Sequence, residues 1–214
     1  MLPKPTYDLT FVRHGESVGN AENRIQGQAE FPLSDMGRAQ ALALGERWKS
    51  EGISFDWILS SPLGRALETG QIIADALGHP NPIELDSLWA ERHNGKRAGL
   101  TWDEIQVKFP DPEFYNPFQP IAETGEGDWL LFLRAGQALH KVLQRQPGRY
   151  LIISHGAILN MTFYAILGVT PHPNAQGPRF HLRNACFSRF IYHPHRHRWE
   201  VNIIGDRTHW KKPG

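Results

Sequence analysis

Short apolar runs rich in β-branched and aromatic residues recur along the chain at Asp8–Val12, Phe55–Leu59 and Tyr150–Ile153. Each is too short for a helix and gives way to small or polar residues, the pattern of a buried strand. Between them the apolar spacing changes to three and four. Ala66, Leu67, Gly70, Ile73, Ala74 and Leu77 form one stripe that ends at Gly78. Trp129, Phe132, Leu133, Gly136 and Leu139 form another, whose large side chains are expected in the core. Ala39, Leu42 and Ala43 mark a further helix, capped by Ser34 and stopped near Gly52. Thr101-Trp102-Asp103-Glu104 has the form of a capping box, so a short helix runs from there to about Phe109, where Pro110 ends it. A helix over Ile158–Leu167 stops at Gly168, and strand-like runs at Phe187–Tyr192 and Trp199–Ile204 close the pattern.

Alternating strands and helices predict an α/β fold. The length of 214 residues suits a single domain, or one domain with an inserted cap. The proline-rich stretch Pro110–Glu126 has little periodicity and reads as a loop or lid, part of an insertion around residues 100–127. The formal net charge is +1 with both signs interspersed, which lacks the basic stripe that nucleic acid or an anionic membrane requires. A small-molecule partner is therefore favoured. Cys186 is the only cysteine, so an internal disulfide framework is excluded, and Met1–Pro5 leads into the first strand without an apolar signal core. No stretch approaches the length of a membrane span, and the cytoplasm is the default location.

Three of the predicted strands end in groups suited to an anion. Val12 leads into Arg13-His14, Leu59 into Ser60-Ser61-Pro62 with Arg65 nearby, and Ile153 into Ser154-His155. In open α/β sheets ligands bind outside the carboxyl ends of the strands, so these groups are expected to share one crevice. Ser61-Pro62 has the form of a helix N-cap followed by proline, which would put Arg65 in the first turn beside free backbone N–H groups. Transfer of a phosphoryl group needs cations that neutralise its oxygens. Arg13 and Arg65 offer planar paired donors, and a protonated His155 would add a third. A neutral imidazole attacks phosphorus through one ring nitrogen when the other is held by a hydrogen bond, and neighbouring arginines favour that neutral form. His14 suits this role. A carboxylic acid is then needed to protonate the leaving oxygen, for which Glu84, Asp86, Glu91 and Asp103 are available. His193, His195 and His197 fall at alternate positions, but Pro194 and the flanking arginines make a turn between the last strands a better reading than a metal site.

Arg13-His14-Gly15-Glu16 followed by Ser17 and Asn20 resembles the signature of the histidine phosphatase superfamily, the phosphoglycerate-mutase-like proteins. The resemblance continues in order through Gln26-Gly27, Pro32-Leu33-Ser34, Gly37 and Gln40, Ser60-Ser61-Pro62-Leu63 with Arg65-Ala66 and Thr69, and Glu91-Arg92-His93 with Gly95 and Gly99. Beyond these come Gly125-Glu126 with Arg134, Ser154-His155-Gly156 and Asp206-Arg207-Thr208-His209-Trp210. It implies a three-layer α/β/α fold with a mostly parallel sheet and a phosphomonoesterase that works without metal or cofactor. His14 would be the phosphorylated nucleophile, with Arg13, Arg65 and His155 on the phosphoryl group. Ser17, Asn20, Gly27 and Gly156 would line the pocket, and Glu91 would be the proton donor and later the base.

Within the resemblance the alternative to hydrolysis is a phosphoglycerate mutase; a retired phosphate-binding protein ranks below both. Asn94 stands where mutases carry tyrosine, Trp102 replaces their lysine, and no arginine pair follows in Pro110–Phe118. The segment between Glu91 and His155 is also shorter. Arg97 and Ala98 replace the usual Trp-Glu pair of the phosphatases, and Arg97 is an extra cation expected to favour a more acidic substrate. The partner would be a small phosphate ester and the protein a monomer or homodimer.

Overall fold

The computed structural model describes residues 5–210, so most of the segment read as lacking a signal core lies outside the described residues. Six strands form one sheet in the order β3-β2-β4-β1-β5-β6. They are β1 Tyr7–Arg13, β2 Trp57–Ser60, β3 Glu84–Leu85, β4 Gly148–Ser154, β5 Phe187–His193 and β6 Arg198–Asp206. The first four run parallel, and β5 and β6 add an antiparallel edge. The helices are α1 Val18–Ala21, α2 Asp35–Ser50, α3 Gly64–Leu77, α4 Trp102–Lys108, α5 Asp128–Leu143 and α6 Gly156–Leu167.

Alternation along the strands builds two cores. Leu9, Phe11, Tyr150 and Ile152 face Leu139 and Val142 of α5 and Leu159 and Phe163 of α6. Val12, Leu151 and Ile153 face Leu44 and Trp48 of α2 and Ile73 and Ala74 of α3. The sheet is therefore sandwiched between two helical layers, as the sequence pattern and the resemblance led us to expect. The helix stops also fall where local chemistry dictates: Gly78 and Gly168 adopt left-handed conformations, at φ 64° and 69°. Ser34 caps α2, and Thr101 with Glu104 closes the capping box of α4.

Three local expectations need correction. The buried face of α2 is Gln40, Ala41, Leu44 and Trp48, one position away from Ala39, Leu42 and Ala43, because Gln40 turns inward to accept the Glu16 N–H at 3.0 Å. In α5 the core face is Leu131, Ala135, Ala138, Leu139 and Val142. Leu133 is exposed, and Trp129 and Phe132 are half-buried under Phe118 of the loop. The small alanines, rather than the bulky residues, allow α5 to pack closely on α6. Finally, α3 is capped by Leu63 and not by Ser61, whose hydroxyl accepts the Leu63 N–H at 3.2 Å. Arg65 still falls in the first turn. The two-residue strand β3 has no periodicity to reveal it.

Candidate active site

Residue Arg13 pairs with Ser154 in the β1–β4 register, so His14 and His155 follow as neighbours at the carboxyl ends of adjacent parallel strands. The chain leaves β1 towards β2, on one side, and leaves β4 towards β5, on the other. A crevice opens where connections diverge in this way. The two imidazole rings lie 5.0 Å apart there, both buried.

The loop after β1 is tightly held. His14 Nδ1–H donates to the Gly15 carbonyl at 2.6 Å, which fixes the tautomer and leaves Nε2 as the nitrogen with a lone pair. Gly15 N–H donates to Thr69 Oγ1 at 3.0 Å, and Asn184 Nδ2 donates to the carbonyls of His14 and Gly15 at 3.2 Å and to Asn20 Oδ1 at 2.9 Å. Against the loop lies the start of α2. A Cβ on Gly37 would meet the Glu16 carbonyl oxygen at 1.9 Å, and one on Gly15 would meet the Gly37 oxygen at 2.4 Å. Only two glycines permit this contact of backbone on backbone.

Cations surround the histidines. Arg65 Nη2 donates to the Gly27 carbonyl at 2.6 Å and Nη1 to that of Ala29 at 3.0 Å, and Arg13 Nη1 donates to the Leu182 carbonyl at 2.6 Å. Gly27 needs its φ of +54° and its lack of a side chain, since a Cβ there would press on the Arg92 carbonyl and on Asn94 at 3.1 Å. Arg13 Nε, Arg65 Nε and His155 Nδ1 are buried polar atoms without a protein partner. Buried donors left unsatisfied in this way mark a place for a ligand's acceptors. Gly156, at the start of α6, flanks the Arg13 guanidinium.

Glu91 is brought in from the segment after β3. Its carboxylate accepts N–H bonds from Arg92 at 2.8 Å and from Ala157 and Ile158 of α6 at 3.2 Å, and its charge acts on both Arg13 and Arg65. Arg134 holds this segment by donating to the carbonyls of Leu88, Ala90 and Glu91, while pairing with Glu126. Ser17 is fully buried; its hydroxyl lies 2.7 Å from Gln26 Oε1 and accepts the Asn20 N–H, so it supports the pocket wall. The structure thus brings His14, Arg13, Arg65, Glu91, His155, Asn20, Gly27 and Gly156 together. It places Arg97 elsewhere, under the loop after α4, where Nη2 donates to the Phe109 carbonyl at 3.0 Å.

Some contributors were invisible in the sequence. Asn184 sits in a segment without periodicity, and only its long-range contacts expose its role. Arg92 forms a buried ion pair with Asp128, and Tyr115 lies beside both. Burial opposes the Arg92 charge, but Asp128 and Tyr115 raise its pKa above the ordinary value.

Burial, then Arg65 and Arg13, hold the His14 pKa well below the usual imidazole value, and burial, then His14 and the arginines, do the same for His155. Both shifts favour the neutral imidazole while the pocket holds no anion. A histidine whose folded-state value is depressed stabilises the fold above its unfolded value near 6.5 and loses that contribution as the pH falls. Denaturant midpoints should therefore decline steadily between pH 7 and pH 5, with proton uptake on unfolding; a flat profile would contradict buried neutral imidazoles.

Taken together, the fold and site define an α/β protein with an anion pocket at its strand ends and a tautomer-locked imidazole inside it. The chain belongs to the histidine phosphatase superfamily (branch 1), whose family model matches residues 9–206. It is 34% identical over 221 residues to a probable phosphoglycerate mutase GpmB from Salmonella arizonae, covering 94% of each chain. It is 32% identical to the metal-independent phosphoserine phosphatase of Arabidopsis thaliana, over 97% of this chain and 84% of that one. A solved phosphoserine phosphatase mutant from Entamoeba histolytica, in complex with phosphoserine, superposes with a TM-score of 0.77 at 25% identity, covering 95% of this chain and 98% of that one. Among the described residues no helix is long and apolar enough to cross a membrane.

Proposed function

We propose that this chain is a metal-independent phosphomonoesterase acting on a small phosphorylated metabolite. The observation that carries the reading is the His14 Nδ1–H bond to Gly15, surrounded by the unpartnered nitrogens of Arg13, Arg65 and His155. His14 Nε2 attacks phosphorus while the arginines and His155 take up the charge of the phosphoryl oxygens. The phosphorus–oxygen bond to the alcohol breaks, and the leaving oxygen takes a proton from Glu91. Water then attacks the phosphohistidine, gives its proton to the Glu91 carboxylate, and the phosphorus–nitrogen bond breaks to release phosphate. Asn20, Gly27 and Gly156 line the pocket and Ser17 buttresses it. Residues 100–127 form the lid of a single domain, which acts in the cytoplasm as a monomer or homodimer.

The mutase reading has the GpmB-type relatives in its favour. Hydrolysis is favoured by Arg92, whose guanidinium already pairs with Asp128, and by Asn94 and Trp102 in place of the mutase tyrosine and lysine. With 3-phosphoglycerate as a probe, phosphorus NMR should show phosphate release outpacing isomerisation, undiminished by chelator. Isomerisation as the faster process would assign the chain to the mutases.

A further inference from the structure

A second hollow opens beneath the proline-rich segment. It is open to solvent, with Arg97, Asp111, Tyr115, Asn116, Gln119 and Ile121 on its walls. Its cation is incompletely paired. Arg97 Nη2 reaches the Phe109 carbonyl, but the exposed Asp111 carboxylate stays 3.9 Å away and the buried Nε has no partner. A guanidinium held mostly out of water without full pairing is costly, and a ligand anion would offset that cost.

The position of the hollow follows from the chemistry next door. In-line displacement puts the leaving oxygen opposite His14, on the Glu91 side, so the rest of the alcohol extends past Glu91. Beyond Glu91 come Arg92, beside the hollow's own Tyr115, then Asn94, packed on Gly27, then the turn Gly95–Arg97. Tyr115 on the hollow's wall therefore faces the residue that follows Glu91.

We infer that the lid hollow is the subsite for the leaving alcohol, and that Arg97 makes it select phosphomonoesters whose alcohol carries a second anionic group. This rests on the phosphatase reading above and adds the substrate class. Tyr115, Asn116 and Gln119 supply neutral polar contacts around the anion, and Asp111 is the loose counter-ion that it displaces.

The test compares matched substrates on the full chain: O-phosphoserine against O-phosphoethanolamine, which differ by a carboxylate, and fructose 1,6-bisphosphate against fructose 6-phosphate, which differ by a phosphate. The first pair reports a carboxylate subsite and the second a phosphate subsite. In at least one pair the anionic member should have a kcat/KM higher by roughly ten- to a hundredfold, the worth of a charge-assisted hydrogen bond. Arg97→Leu should bring that ratio close to one, mainly through KM. Asp111→Asn should raise it, a gain that misfolding cannot imitate. A ratio near one in the wild type, or one that survives Arg97→Leu, overturns the inference. p-Nitrophenyl phosphate separates the two levels. If it is turned over through a phosphohistidine while no pair shows a preference, the subsite inference alone falls; if it is not hydrolysed, the phosphatase reading falls with it.

Discussion

A His14→Ala protein should lose at least about four orders of magnitude in kcat and form no acid-labile phosphoprotein, because removing a covalent nucleophile leaves only the binding contribution to catalysis. The environment of His14 makes this loss hard to rescue. The other groups in the pocket are engaged: His155 is held through Nε2 by Ser61 Oγ at 2.8 Å, and Ser60 donates to its neighbour's carbonyl. The substitution should spare phosphate binding to within a few-fold, since Arg13, Arg65 and His155 remain. Rapid-quench trapping of phosphoenzyme with labelled substrate, together with phosphate affinity by calorimetry, checks both halves. Substantial activity in His14→Ala would overturn the mechanism.

The second large effect is expected at Glu91, and it should depend on the substrate. Loss of a general acid costs about 10²–10⁴-fold when the leaving group is a poor one such as an alkoxide. A phenolate such as p-nitrophenolate leaves without help, so Glu91→Gln should still deliver a burst of p-nitrophenol from its aryl ester. The same variant lacks the base for the attacking water, so phosphohistidine should accumulate after the burst. Glutamine keeps one oxygen to accept the N–H bonds that Arg92 and Ile158 now make to Oε1, and only the Ala157 bond to the other oxygen is lost, which limits the structural damage. Equal losses with alkyl and aryl esters, and no accumulated intermediate, would exclude Glu91 as the proton carrier.

How much of this was legible in the sequence depended on whether a signal was local. The strands β1, β2 and β4 and the stops at Gly78 and Gly168 are written in adjacent residues, and so was the convergence of Arg13-His14, Arg65 and Ser154-His155, because strand direction alone brings them together. The inward faces of α2 and α5 were misread because bulk was taken for burial, whereas Gln40 turns inward to serve a backbone N–H and Ala135 and Ala138 let two helices approach. Asn184 and the Arg92–Asp128–Tyr115 group could not be read at all, since each depends on partners far apart in the chain. Arg97 was read as a cation for the alcohol half of the substrate, but only the fold shows the Phe109 carbonyl and Asp111 beside it.

The seam between Gly15 and Gly37 has a consequence for how such a protein changes over time. With backbone pressed against backbone, the loop that carries His14 and the start of α2 form a single rigid piece with no slack for a methyl group. The hollow under the lid lies outside this seam and is lined by side chains such as Tyr115 and Arg97. Mutations can exchange those side chains one at a time, and with them the alcohol that is accepted, while the step at phosphorus is inherited unchanged.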